Sequence, residues 1–154
     1  MQPVQYNGKK VKQLYRLVDQ RLGQTLRDLD LTGSQSFVLG YLVQNQDRSL
    51  CPRDLEEAFS LSHPTVSGIL FRLEGKGFLS FQDDKKDRRC KRIVVLPKAV
   101  TSHQRVQRTI ESVEEQMVRG FTPDQRDAFS RLLTQAIENL GGETRAFPPE
   151  EVPV

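Results

Sequence analysis

The charged residues that could do chemistry in this chain are concentrated in one short segment, Asp83 to Arg92. Six of its ten residues are lysine or arginine and three are aspartate, which gives the segment a net charge of +3. Residues 1–110 contain nineteen basic and eleven acidic residues, whereas residues 111–154 contain four basic and nine acidic residues. This asymmetry indicates a polyanion as the partner of the first part of the chain.

A second polar cluster lies at the start of a predicted helix, where Ser62 can cap the first turn and Pro64 is tolerated within it. Hydroxyls and a helix N-terminus can bind phosphate oxygens or base edges, proline can pack on a thymine methyl, and arginine can bind phosphate or guanine. The exposed residues predicted to contact DNA here are Ser62, His63, Pro64, Thr65, Ser67 and Arg72.

The elements that would position these residues follow from the period of the apolar residues and from breaks at glycine, proline and capping hydroxyls. The pattern predicts a mainly α fold with one small β-hairpin. The predicted elements are a helix over 9–30, helices over 32–45, 51–60 and 62–75, strands over 78–81 and 93–96, and helices from about Lys98 to Phe121 and from Thr122 to Leu140.

Two short helices joined by a tight turn, followed directly by a basic hairpin, are typical of a winged helix-turn-helix. A charged loop or a helix pair alone is common in proteins that never meet DNA. Their consecutive order favours DNA binding, with the second helix of the pair in the major groove.

Four stretches of this sequence resemble the MarR family of regulators: residues 31–35, 64–67, 72–79 and 87–89. The order of the elements also matches, over residues 9–140. The resemblance implies a winged-helix region over 33–97, dimerisation helices over 9–30 and 98–140 within a single domain, and a terminal segment, 143–154, that we expect to be disordered.

The resemblance further implies a homodimeric repressor that binds a near-palindromic site on double-stranded DNA, with half-sites about 10 base pairs apart. Arg89 would be the minor-groove arginine of the wing and Asp87 the carboxylate that holds it in place. The basic residues that would mainly attract phosphates are Lys85, Lys86, Arg88 and Lys91.

Members of the family often respond to small aromatic or amphipathic effectors bound between the dimer helices and the DNA-binding region. The residues that could line such a pocket are Tyr15, Val18, Phe37, Tyr41 and Met117. Aromatic residues and methionine at helical spacing are also typical of an ordinary core, so both interpretations stay open.

Cys51 and Cys90 are too few for a disulfide framework, and a thiol-based redox regulator is an alternative function. The cations around Cys90 predict a lowered pKa for its thiol, and Cys51 lies near a helix start. The redox sensors of the family, however, carry their cysteine near the start of the first helix, where this chain has none.

Other function classes are less well supported by the sequence. No catalytic triad, phosphate-binding loop or dinucleotide motif is present, so the pattern predicts no enzyme and no cofactor. His63 and His103 lack clustered ligands, so no metal site is predicted. A winged helix used as a protein-interaction adaptor, without preference for a DNA sequence, is the third hypothesis. No apolar run could span a membrane, and we expect a cytoplasmic protein.

Overall fold

The computed structural model describes residues 3–143, so the predicted tail beyond Glu143 lies outside the described residues. The helices and strands follow one another as the sequence predicts, with ends that differ by a few residues. They are α1 Asn7–Asp28, α2 Gly33–Gln44, α3 Pro52–Phe59, α4 His63–Gly75, β1 Leu79–Asp83, β2 Lys91–Val95, α5 Pro97–Met117 and α6 Pro123–Asn139.

Local capping explains where several helices begin. The Thr32 side chain accepts from Gln35 N–H while the Gln35 side chain accepts from Thr32 N–H, a reciprocal capping box that opens α2. Thr122 and Gln125 repeat this arrangement at α6. Four helices also carry proline in the first turn, where its missing N–H has no intrahelical acceptor.

The two strands pair antiparallel and form the predicted hairpin. The register sets Leu79 opposite Val95 and Asp83 opposite Lys91. The strands therefore extend further toward the tip of the hairpin than predicted. The prediction used apolar residues alone, and the outermost pair of the ladder, Asp83 and Lys91, is charged. Ile93 N–H also donates to Leu50 O at 2.8 Å, which holds β2 against the segment before α3.

The winged-helix region has its own apolar core, formed by α2, α3, α4 and the hairpin. The buried face of α4 is the one that the helical period predicts. Its residues are Val66, Ile69, Leu70 and Leu73, and they pack with Leu39, Leu42, Leu55 and Phe78 among others. In contrast, neither α1 nor α6 contains a fully buried residue.

Polar contacts join the long helices to each other and to the winged-helix region. Arg105 Nη2 donates to Asp28 Oδ2 at 2.9 Å and thereby ties α5 to the end of α1. Lys76, which ends α4, donates through Nζ to Asp30 O at 2.6 Å and to Gln35 Oε1 at 3.0 Å. Lys98 donates to Lys76 O at 2.6 Å from the first turn of α5. These lysines tie the end of α4 to the residues that follow α1 and to the first turn of α5.

Candidate nucleic-acid interface

The turn between α3 and α4 is tight and has an unusual backbone. Ser60 adopts the left-handed conformation, with φ of 50° and ψ of 42°, and its N–H donates to Glu56 O. Leu61 N–H donates to the same carbonyl at 3.2 Å. Because a residue other than glycine pays a cost for positive φ, this turn is held by its neighbours. Only three residues therefore separate the end of α3 from the start of α4.

Ser62 caps α4, as predicted, because its Oγ accepts a hydrogen bond from Thr65 N–H at 3.4 Å. Ser62 Oγ and Thr65 Oγ1 also lie 2.8 Å apart and hydrogen-bond with each other. Both residues and the intervening Pro64 are exposed. The first turn of α4 therefore presents two hydroxyls, a pyrrolidine ring and free backbone N–H groups to a ligand outside the domain.

His63 has a contact that the sequence does not reveal. Its Nδ1 lies 2.5 Å from Glu56 Oε1 on α3, and its Nε2 lies 3.4 Å from Ser67 Oγ. The ring is still 73% exposed. In this arrangement His63 bridges the two helices of the helix-turn-helix, and its contact with DNA stays a prediction.

Arg72 lies one turn further along the exposed face. Its Nη1 donates to Gly68 O at 3.4 Å, so the guanidinium folds back toward the N-terminal half of α4. A Cβ at Gly68 would lie 3.5 Å from Nη1, which is an ordinary van der Waals contact, so this conformation of Arg72 does not require glycine there. Beside Arg72, the Phe71 ring is 75% exposed. The sequence analysis did not single out Phe71. Its position does not fall on the buried face of α4, which could have indicated an exposed aromatic ring.

The wing tip is shaped by two aspartates that bond to the backbone. Asp84 Oδ1 accepts from Lys86 N–H at 2.9 Å, and Asp87 Oδ1 accepts from Arg89 N–H at 3.0 Å. The predicted basic residues of the tip are all exposed, which places their charges in solvent: Lys85, Lys86, Arg88, Arg89 and Lys91. Asp87 thus holds Arg89 through its main chain. No ion pair joins the two side chains in the described part of the chain.

The prediction of a lowered pKa for Cys90 is wrong. The pKa of this thiol is raised to about 11, first by a side-chain hydrogen bond with Cys51, then by burial and by the charges of Cys51, Asp87 and Asp54. The neighbouring arginines and lysines point into solvent, whereas the tertiary fold brings a second thiol and two carboxylates close to the sulfur.

The five candidate effector residues lie on three helices, α1, α2 and α5. Tyr15 is 69% exposed on α1, whereas Val18, Phe37 and Met117 are half-buried. Tyr41 packs edge-on against Phe59, with ring centroids 5.1 Å apart, so it contributes to the core. A cavity of about 110 Å³ lies elsewhere, between the end of α2 and β2, and contains none of the five. The effector site therefore stays a prediction.

His103 lies on α5 against α2, where it packs on Gly40. Burial lowers the pKa of this imidazole from its usual 6.5. Within residues 3–143, no three histidine, cysteine or acidic side chains come together as a candidate metal site. In the same part of the chain, every helix is too short or too polar to cross a membrane.

Comparison with known proteins gives consistent matches for this geometry. Residues 29–89 match the model of the MarR family. The chain is 23% identical over 132 residues to YybA of Bacillus subtilis (strain 168), described as an uncharacterised HTH-type transcriptional regulator, and the match covers 86% of this chain and 87% of YybA.

Solved structures extend the comparison to nearly the whole chain. MepR of S. aureus, solved in complex with DNA, superposes with a TM-score of 0.75 at 25% identity, covering 84% of this chain and 96% of MepR. The heme sensor PefR of Streptococcus agalactiae, solved with heme, gives 0.68 at 19% identity, covering 89% of this chain and 95% of PefR. The likeness to PefR shows a shared fold alone.

Proposed function

We propose that the chain is a winged-helix transcriptional regulator of the MarR type that binds specific double-stranded DNA as a homodimer, a proposal supported by the match of residues 29–89 to the MarR family model and by the likeness to YybA. The observation that carries this proposal is the pairing of two surfaces on one domain. The capped, hydroxyl-bearing start of α4 and the basic wing are both exposed and are joined by one apolar core. The DNA complex of MepR supports the proposal by likeness.

The two surfaces would divide the work of recognition. The first turn of α4, with Thr65 and Pro64 foremost, would enter the major groove and read base edges. The wing would lie along the adjacent minor groove with Arg89 at its tip. The remaining basic residues of the wing would bind phosphates, a contribution that attracts any duplex and weakens with salt.

A second copy of the chain is the occupant that we propose for the exposed apolar residues of the long helices. These side chains lie outside the winged-helix core and are exposed in the single chain. They are Val11, Tyr15 and Leu17 on α1, with Leu132 and Ile137 on α6 and Leu140 just after it. A two-fold interface through these helices would bury them and would present two α4 helices to successive major grooves.

The remaining parts of the proposal follow from the family. A two-fold dimer implies a near-palindromic operator with half-sites about 10 base pairs apart. Repression in the cytoplasm is the expected mode, relieved by a small aromatic or amphipathic effector near Tyr15 and Met117. That PefR is a heme sensor supports the use of small molecules as signals on this fold, and we name no ligand for this chain.

A selection from a randomised duplex library would test the proposal. The protein should enrich one motif with two inverted half-sites whose centres lie about 10 base pairs apart. The variant Leu132→Glu places a charge in the proposed dimer interface, and Gln135→Glu, on the same helix, is its control. Only the first should lose the paired motif. Enrichment of no motif would instead favour a winged helix that acts as a protein-interaction adaptor.

A further inference from the structure

One large apolar ring stands on the exposed face of α4. Phe71 is 75% exposed, and within α4, which the structure describes in full, it is the only large apolar side chain that is exposed. It lies on the side of the helix opposite the buried face, because successive residues turn by about 100° around the axis. The buried face is formed by Val66, Ile69, Leu70 and Leu73. The ring therefore contributes nothing to the core of the winged-helix region.

Phe71 shares its face of α4 with residues of the proposed reading surface. Pro64, Ser67, Gly68 and Phe71 are spaced as i, i+3, i+4 and i+7, so they form one stripe along the helix. A helix that lies in the major groove presents residues of this spacing to the bases. Ser67 is small and Gly68 has no side chain, so the ring is the largest group on the stripe.

The charges near the ring indicate the chemistry of a ligand that would cover it. The neighbouring Arg72 is exposed, and its Nη1 donates to Gly68 O at 3.4 Å, which keeps a guanidinium beside the stripe. The wing, residues 83–92, adds a net charge of +3. A complementary ligand therefore offers an apolar group flanked by negative charge. In the major groove, the C5-methyl of thymine is such a group and the phosphates flank it.

A protein partner fits this surface less well than a duplex does. An aromatic side chain buries about 150–250 Å², whereas a stable protein interface needs about 1,000 Å² or more. The residues that surround the ring on α4 are small or charged, so they add little apolar area. The size and the charge of the surface both favour DNA as the occupant.

We propose that Phe71 is a specificity-determining residue that packs on the C5-methyl of one thymine in each half-site of the operator. This inference rests on the proposed DNA-binding function and names a base that α4 reads. Phe71 follows Thr65 by six residues, which is about 9 Å along the helix axis. This distance exceeds the base-pair step of about 3.4 Å, so the two residues read different base pairs.

The expected size of the effect follows from the burial of one methyl group. Loss of that burial weakens binding about fourfold in each half-site, and therefore about sixteenfold in a dimer that contacts two half-sites. The ring carries no charge. The affinity for random duplex and the slope of affinity against salt should therefore not depend on it, in contrast to the arginines of the wing.

Replacement of thymine by uracil tests the contact, because the two bases differ only in the C5-methyl. Duplexes with the motif that the wild type selects would carry uracil at one symmetry-related pair of thymines at a time. The wild type should lose about sixteenfold in affinity at one of these pairs. Phe71→Ser should bind the thymine and uracil duplexes equally at that pair. Phe71→Leu, the matched control, keeps an apolar side chain and should retain most of the difference.

Cytosine and 5-methylcytosine give a second, independent comparison at the same base pair. The wild type should bind the methylated duplex about sixteenfold more tightly than the unmethylated one, and Phe71→Ser should not distinguish them. Phe71→Ser should also keep the wild-type midpoint in denaturant and the wild-type affinity for random duplex, since the ring lies outside the core.

Three results would overturn the proposal. Equal losses on uracil duplexes in the wild type and in Phe71→Ser would show that another residue reads the methyl, or that none does. A change from two chains to one chain per site in Phe71→Ser, with the same losses on uracil duplexes as the wild type, would assign the ring to a contact between chains. Selection of no motif by the wild type would contradict the proposed function itself, whereas the first two results would leave that function standing.

Discussion

His63 Nδ1 lies 2.5 Å from Glu56 Oε1, so the first residue of α4 is anchored to the preceding helix of the helix-turn-helix. The same ring reaches Ser67 Oγ at 3.4 Å on its other side. The angle at which α4 leaves the domain therefore depends on a polar contact as well as on the buried face. Since the residues that we propose to face DNA begin at Ser62, this contact lies beside the proposed reading surface.

The variant Glu56→Ala should reduce the preference for specific DNA more than it reduces the stability of the fold. Loss of a partly exposed pair should change the free energy of unfolding by about 1 kcal/mol or less. The ratio of specific to random DNA affinity should fall further, because His63 is then free to turn. Glu57→Ala is the control, since Glu57 is exposed and contacts only Arg53 in the described chain, at 3.8 Å. Equal ratios in the two variants would contradict this role of Glu56.

The variant Arg89→Ala should weaken binding to all duplexes and should reduce the slope of affinity against salt by about one phosphate contact. The physical reason is that Arg89 is an exposed charge at the wing tip with no ion-pair partner in the described chain. Anisotropy titrations at several salt concentrations would measure the slope. Arg108→Ala, on α5, removes an equal charge away from the wing. An unchanged slope in Arg89→Ala, or the same change in both variants, would rule out the wing as a DNA contact.

The variant Thr65→Val should mainly relax the preference at one base pair of each half-site, by about 1 kcal/mol. It removes the hydroxyl that bonds with Ser62 Oγ at 2.8 Å but retains the shape of the side chain. Thr65→Ser keeps the hydroxyl and should keep the preference. Titration of all four bases at that position would measure the effect, and a uniform loss on random DNA would assign Thr65 to the phosphates instead.

Two variants of Asp87 distinguish the observed role of its carboxylate from the role that the family resemblance implies. In the structure, Oδ1 accepts from Arg89 N–H, and asparagine can accept that bond equally well. Asp87→Asn should therefore bind DNA at least as tightly as the wild type, because it also removes a negative charge, whereas Asp87→Ala should bind more weakly. Amide hydrogen exchange at Arg89 should rise only in the alanine variant. Equally weak binding by both variants would show that the carboxylate charge itself orients Arg89.

Stability should decrease on acidification through His103. Burial lowers its pKa from 6.5, so the unfolded chain binds the proton more tightly than the folded chain. The contribution is fully present above pH 6.5 and is lost as the pH falls below that value toward the lowered pKa. In denaturant titrations, the wild type should lose more free energy of unfolding than His103→Gln between about pH 7.5 and about pH 5.5. Parallel curves for the two proteins would exclude this contribution.

The sequence predicted the elements and the local features of the interface because these depend on neighbouring residues. Ser62 as the cap of α4 and the buried period from Val66 to Leu73 are both local patterns, and both are confirmed. The pairing of Asp87 with Arg89 comes from the family resemblance, and the contact in the structure uses a backbone donor that a side-chain motif does not specify.

The contacts that sequence reasoning missed join residues from different elements. Glu56 meets His63 only because Ser60 turns the chain back, and Lys76 reaches Asp30 only because α4 ends beside α1. The error over Cys90 has the same origin. Its sequence neighbours are cations, but exposed side chains turn away into water, and the partners that set its pKa come from α3 and the wing turn.

The measurement that tests the central proposal most directly is an anisotropy titration of the purified protein against its selected duplex and a shuffled duplex, at two salt concentrations. A specific regulator should separate the two duplexes by about a thousandfold or more, bind two chains per site, and show a slope near −0.9 for each phosphate neutralised. Equal, weak binding to both duplexes, or one chain per site, would contradict the proposed dimeric regulator.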